Sequence, residues 1–395
     1  MRAALWVFRK EAREIMRDRR VMVGAFITPV FIIILFVVLV GFIEQKVKTS
    51  PDLSIVIVGE TDNLLVSALE KAEDVTLRYV DSVDEGRELL AKGRARVVLE
   101  FSEQFEQELL TGEATITAHY DSSETLSSIA FSAIRGIVNE ANKASAKQAL
   151  ERAGLPASLA APMQVVPSDI AKAEGLGGSM LAGLLPYLIV LWAFYGGFST
   201  VTDLVAGEKE RGTMETLLIS PISRWQVAFG KFLSLAAICF ISSMTTLVAI
   251  LIVGLMNFEL TKAVFPTGVH ISASSALSML AILVPLVLFF AALLISISAY
   301  AKNIRESQTY LTVVNFVVLM PVIFSQFIGF TGVENSAWVR WTPILNSAIA
   351  LREALLSKLT LGHLGSSVGV SLVLAVAMMA VAFYLFNREQ ILSRS

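Results

Sequence analysis

The 395-residue sequence contains one cysteine and three histidines, and only 17% of its residues are charged. The single thiol, Cys239, excludes an intrachain disulfide framework and a multi-thiolate metal site. Embedded in an apolar run, it reads as a small buried hydrophobe. His119, His270 and His363 are scattered, with no ligand at metal-binding spacing, so no metal centre is expected. Soluble domains carry about 25% charged residues, so the depletion excludes an ordinary soluble domain. No G-x-x-x-x-G-K-[ST] motif occurs, which leaves the chain without an ATPase site of its own. The glycine-rich GLGGSM (175–180) lacks the lysine and reads as a flexible entry to a membrane span. Neither G-x-S-x-G nor H-E-x-x-H occurs, and no His, Asp or Ser cluster suggests a membrane enzyme. A nucleic-acid partner is not expected either.

What the chain has instead is long apolar runs. It is 55% hydrophobic, with a mean hydropathy of +0.67. Residues 21–43 carry no charge over a length that crosses a bilayer, for which about 20 residues are needed. Five more spans are expected at about 179–202, 229–256, 274–300, 309–331 and 366–387. Residues 1–20 read as an amphipathic interfacial helix. Its apolar positions are Leu5, Phe8, Ala12, Ile15 and Met16, with the arginines turned to anionic headgroups.

Residues 44–175 change character. Short β-rich runs at 53–59, 75–81, 96–102 and 114–120 alternate with helical stretches, and a long helix is expected from about Ser123 to Gly154. That alternation predicts an α/β domain with a mostly parallel sheet, inserted between spans 1 and 2. The domain holds 22 Asp/Glu against 13 Lys/Arg, whereas the first 20 residues hold seven Lys/Arg against three acids. The positive-inside rule then places both termini, the segment 203–228 and the link 301–307 in the cytoplasm. It places the α/β domain outside the cell membrane. Arg340, Arg352 and Lys358 run against this rule; their segment is aromatic and amphipathic, and is expected in the outer interface. The predicted fold class is thus a polytopic α-helical membrane protein. It has six transmembrane helices and an extracytoplasmic α/β domain, with 176–395 carrying spans 2–6.

The span centres hold only mild polar groups. Asn315, Gln326 and Tyr195 are the candidates for a translocation path. Hydrogen bonding between helices explains such residues more simply than a substrate role does. Carbonyls freed near Pro186, Pro285 or Pro321 offer a further way to hold a cation.

One stretch, GEKERGTMETLLISPISRW (207–225), is densely charged between two apolar runs. Gly212 is placed to break a helix, Thr213 to restart one, and Pro221 to end it. Ser223 to Gln226 has capping-box spacing for the start of span 3. A short rigid amphipathic helix results. It suits docking into a groove of a partner protein or lying on the membrane surface, and spacing leaves both open.

The stretch Glu208 to Ser223, followed by Gly230-Lys231, resembles the hallmark of type-2 (ABC-2) exporter permeases. Phe8 to Glu11, Arg17 to Arg20 and Ser298 to Gln308 are also similar to that family. The large insertion after span 1 resembles the NatB-like sodium-exporter and multidrug-exporter subgroup. The resemblance implies a connecting helix at residues 1–20 and a coupling helix within 207–225 that docks on a separate ATPase subunit. Glu208, Glu210, Arg211, Gly212, Thr213, Glu215 and Pro221 match its motif. It further implies ATP and Mg on that partner, with no cofactor in this chain, and a second permease copy or paralogue completing a dimer. The substrate is expected to be sodium or a hydrophobic drug or lipid. A membrane receptor or scaffold with an outside sensing domain is the alternative.

Overall fold

The computed structural model describes residues 2–49, 53–59, 64–70, 75–102, 105, 108, 114–122, 124–160, 180–214, 221–256, 271–328 and 336–387. The chain divides into two compact units, Ile43–Asp169 and Met1–Phe42 with Ile170–Ser395.

The chain opens with α1 (Arg2–Arg17) and α2 (Arg19–Met22). A π-helical turn (Val23–Ile27) and α3 (Thr28–Thr49) follow. Asp18 separates α1 from α2, and its carboxylate accepts the Arg20 amide at 2.8 Å. The buried face of α1 shares only Ile15 with the predicted stripe. Ala4, Val7, Glu11 and Ile15 are buried, whereas Leu5 and Met16 are exposed. The apolar stripe read from the sequence is rotated because the helix packs on protein, and its central contact is a charged residue.

The inserted unit holds a sheet of β1 (Leu53–Val58), β2 (Val75–Val80), β3 (Val97–Phe101) and β4 (Ile116–Tyr120) in the order β2-β1-β3-β4. β1 pairs in parallel with β2 and β3, and β4 closes the edge antiparallel. Its helices are α4 (Leu64–Glu70), α5 (Val83–Ala91) and α6 (Thr125–Arg152). Ile55, Ile57, Val97 and Leu99 meet Leu65 and Leu69 of α4 and Ile134 of α6 on one face. Val56, Val58 and Val98 meet Leu89 and Leu90 of α5 on the other. A central strand covered on both faces has no polar side, which is why LSIVIV reads as an unbroken apolar run. The helix expected at 103–112 lies largely outside the described residues.

The remaining elements are α7 (Met180–Val201), continued by a π segment (Thr202–Gly207) and a turn at Glu208–Glu210. Next come α8 (Arg224–Leu255), α9 (Ala273–Tyr300) and α10 (Ile304–Ile328). The chain ends in α11 (Ala337–Trp341), α12 (Leu345–Leu355) and α13 (Leu361–Asn387). Among the described residues, six stretches are long and apolar enough to cross a membrane: Arg19–Leu39, Leu184–Glu210, α8, α9, α10 and α13. The second to fourth form the packed centre. Gly196 and Gly197 let α7 approach α8 closely, since a Cβ there would meet Ser242 Cβ at 2.6 Å and Cys239 Sγ at 2.5 Å. Helices α7, α9 and α10 run on through Pro186, Pro285 and Pro321. The end of α7, the start of α8, the end of α9, the start of α10 and the end of α13 meet at one end of the bundle. Lys209, Glu210 and Arg224 tie them together there.

Candidate functional site

At that end the bundle holds a closed ring of four alternating charges, three of them buried and the fourth, Lys10, partly exposed. Lys231, on the third turn of α8, is fully buried. Its ammonium lies 2.8 Å from Glu11 Oε1 of α1 and 2.7 Å from Glu208 Oε2 beyond the π segment. It also donates to the Leu204 carbonyl at 2.9 Å. Glu11 and the Leu204 carbonyl accept its hydrogen bonds, and Glu208 faces it as an ion pair. Lys10 closes the ring, 3.0 Å from Glu208 Oε1 and 3.3 Å from Glu11 Oε1. Burial works to lower the Lys10 ammonium, but Glu11, Glu208 and Glu14 together hold it above its ordinary value. Two cations balance two carboxylates, so the cluster as a whole is neutral. Removing any one member strands a charge of the opposite sign.

Close packing puts these groups together. A Cβ at Gly230 would lie 2.7 Å from Val7 Cβ and 2.8 Å from the Ala4 carbonyl, so α1 crosses α8 where a side chain is missing. Ser234, one turn on, donates to the Phe8 carbonyl at 3.3 Å. A π turn disrupts the regular ladder, and such turns are frequent at functional sites. Here Ser298 of α9 accepts from the Ala206 amide at 3.3 Å and donates to the Val201 carbonyl at 2.9 Å.

The next two charges also turn inward. Lys209 donates to the Ala299 and Ala301 carbonyls at the end of α9, at 3.0 Å for Ala301. The carboxylate of Glu210 accepts the Ile304 amide at 3.0 Å, at the first turn of α10. Arg211 is exposed, and it donates to the Asp203 carbonyl at 3.5 Å. Gly212 ends the helix with a φ of +70°, a conformation that suits glycine. Thr213 donates to the Glu208 carbonyl at 3.2 Å, and Met214 is fully buried. Glu215 lies outside the described residues, with most of the short helix expected after Gly212. Pro221 is exposed in a bend. Ser223 does precede the first residue of α8, but its side chain makes no capping bond. The backbone bond from the Gln226 amide to the Ser223 carbonyl, 2.9 Å, starts the helix instead.

The sequence pattern of the ABC-2 family transporter proteins matches residues 19–386. The chain belongs to that family. It is also 25% identical over 320 residues to the ABC transporter permease protein NatB of Bacillus subtilis (strain 168), which covers 80% of this chain and 81% of that protein. With six apolar helices of spanning length, this ABC-2 chain is a multi-pass membrane protein. Membership implies a permease subunit that works with an ABC ATPase, rather than an enzyme.

In this ABC-2 permease, the residues singled out within the spans separate. Tyr195 of α7 donates to Asn315 Oδ1 of α10 at 2.7 Å. Phe194, Phe198 and Phe290 surround the tyrosine ring or its neighbours, with centroids 5.4–5.7 Å apart. Gln326 stands eleven residues further along α10, roughly 16 Å at the helical rise. No carboxylate is expected in the spans from the sequence, yet Glu208 is buried at the end of the second. Glu11 and Lys231 carry the ring but were absent from the sequence-predicted site. Their only signal was indirect: both stand in stretches that resemble the ABC-2 family.

Proposed function

We propose that this chain is the membrane half of an ATP-driven exporter and that its charge ring transmits the ATPase stroke to the spans. The observation that carries the proposal is the closed ring of Lys10, Glu11, Glu208 and Lys231. Arg211 to Met214 follow Glu208 closely, and Pro221 lies three residues before α8. A partner that pushes on them pulls at once on α1, on the π end of α7 and on the start of α8. Lys209 and Glu210 carry the same displacement to α9 and α10. Glu208 and Glu210 are therefore assigned to internal transmission, and docking to Arg211, Thr213 and the residues up to Pro221. The basic, motif-bearing end is cytoplasmic in this reading, and the α/β unit is extracytoplasmic. Two copies, or this chain and a paralogue, complete the pump with two ATPase chains that carry ATP and Mg.

The substrate favoured here is a hydrophobic or amphiphilic molecule. The neutral Tyr195–Asn315 pair within an aromatic cluster suits an amphiphile with one polar group. Sodium, implied by the subgroup resemblance, is the competing substrate. The receptor reading is not favoured, because a sensor has no need of four further spans.

Reconstitution of Glu208→Gln with the partner ATPase in vesicles tests the proposal. The expected result is intact co-purification and ATP turnover with lost dye efflux. Loss of co-purification would return Glu208 to the docking surface. Unchanged efflux would remove the ring from the mechanism. Sodium flux without dye efflux in the wild type would reverse the substrate assignment.

A further inference from the structure

The opposite end of the bundle holds a second buried polar cluster, which transmission does not use. His363 lies in the first turn of α13, 24 residues before Asn387, or about 36 Å along the helix from the motif end. Its side chain is 2% exposed. Nδ1 lies 2.7 Å from Glu353 Oε2, and Nε2 lies 2.8 Å from Asn346 Oδ1. The Asn346 amide nitrogen donates to the Arg340 carbonyl at 2.5 Å, which fixes Oδ1 as the atom facing the ring. Nε2 must therefore donate. A proton must also lie between Nδ1 and the Glu353 carboxylate, because a bare lone pair and a carboxylate repel at 2.7 Å. Whether that proton sits on nitrogen or oxygen, it belongs to the pair.

The helix that carries Glu353 and Asn346 is strained. α12 is entered through a γ-turn of the disfavoured hand, with Ile344 at φ 67° and the Leu345 amide bonded to the Pro343 carbonyl at 2.7 Å. It is left through Ser357 at φ 54°. Neither residue is glycine, and such conformations persist only where the surroundings hold them. The polar contacts to α13 supply that hold. Beside the histidine, Ser347 lies 3.0 Å from Ser371 and accepts from Ser367 at 3.3 Å.

We propose that His363 and Glu353 form a one-proton binding site that latches strained α12 onto α13. The ligand is a proton, and its loss leaves two acceptors face to face. Other charged groups around the site are few. α9 has none along its length, and α8 has only Arg224 and Lys231, at the other end of the bundle. α7 has none, and α10 has Arg305 and Glu306 at the motif end. α11 brings Arg340, α12 brings Arg352 besides Glu353, and Lys358 follows α12 with its amide bonded to the Glu353 carbonyl at 2.8 Å. The latched fold binds the proton and the released helix does not need it.

The test uses the full chain in lipid nanodiscs. In the double variant His119→Gln with His270→Gln, the site is intact and His363 is the sole histidine. Nitrogen NMR of labelled histidine at neutral pH should show a protonated Nε2. It should also show either a protonated Nδ1 or an Nδ1 bonded to a carboxylic acid, whose infrared band disappears in Glu353→Gln. A lone-pair nitrogen with no carboxylic acid band overturns the proposal. The thermal midpoint of the double variant should fall in Glu353→Gln, and the further change His363→Gln should then cost little more, because the shared proton is already lost. Fully additive losses also overturn it.

Discussion

The two ends of the helical bundle each bury a polar cluster, and they are built on opposite plans. The motif end joins four full charges from positions 10, 11, 208 and 231, on three segments far apart in the chain. The far end joins residues 340 to 371, a single local stretch, through mostly neutral groups and one shared proton. A cluster that spans distant segments can pass a displacement between them. A local one can only hold its own helices together. The difference suits an end that takes up work and an end that opens or stays shut.

Replacing one member of the ring should break the comparison most severely. Lys231→Met leaves two buried carboxylates with one cation, and a loss of about 3–5 kcal/mol is expected. It would be read as a lower thermal midpoint and a lower yield of folded protein. Lys231→Met combined with Glu11→Gln should cost clearly less than the two singles summed, since the stranded charge is removed as well. An additive result would dissolve the ring into independent contacts.

Gly230→Ala tests the packing beneath the ring. Its Cβ would lie 2.7 Å from Val7 Cβ and against the Ala4 carbonyl, so α1 must shift. About 1–3 kcal/mol is expected, with transport lost before stability. Efflux at the wild-type level would mean that the position of α1 on α8 is immaterial. Ser347→Ala, at the far end, should cost about 0.5–1.5 kcal/mol and leave ATPase co-purification untouched. Reduced co-purification there would erase the contrast between the ends. The smallest effect on stability is expected for exposed Arg211→Ala, within about 0.5 kcal/mol. Its co-purification with the ATPase should nonetheless weaken, and full retention would take Arg211 off the docking surface.

The six spans were legible because each is an apolar run of bilayer length, a property of consecutive residues. The strands of the inserted unit were legible for the same reason. The face of α1 was not. A pattern that counts hydrophobes places Leu5 and Met16 inward, but the structure exposes both and buries Glu11. Burying a carboxylate is favourable only beside Lys231, 220 residues away, and nothing local announces that partner. The charged stretch after α7 was read as an outward-facing docking helix. Its first three charges instead bond inward to α1 and α8, to the end of α9 and to the start of α10. The Ser223 cap failed in a smaller way, because spacing permits a side-chain bond without requiring it.

By itself the sequence determined that the chain is a multi-pass membrane protein, which described stretches are apolar enough to cross, and where the α/β unit is inserted. Hydrophobic transfer and strand patterning act over a few neighbouring residues, so those features are written locally. Tertiary structure alone decided which charges are buried, which of them meet, and that His363 and Glu353 share a proton. Electrostatic pairing in a low-dielectric interior depends on distances of about 3 Å between residues that may be hundreds of positions apart, and only the packed fold sets those distances.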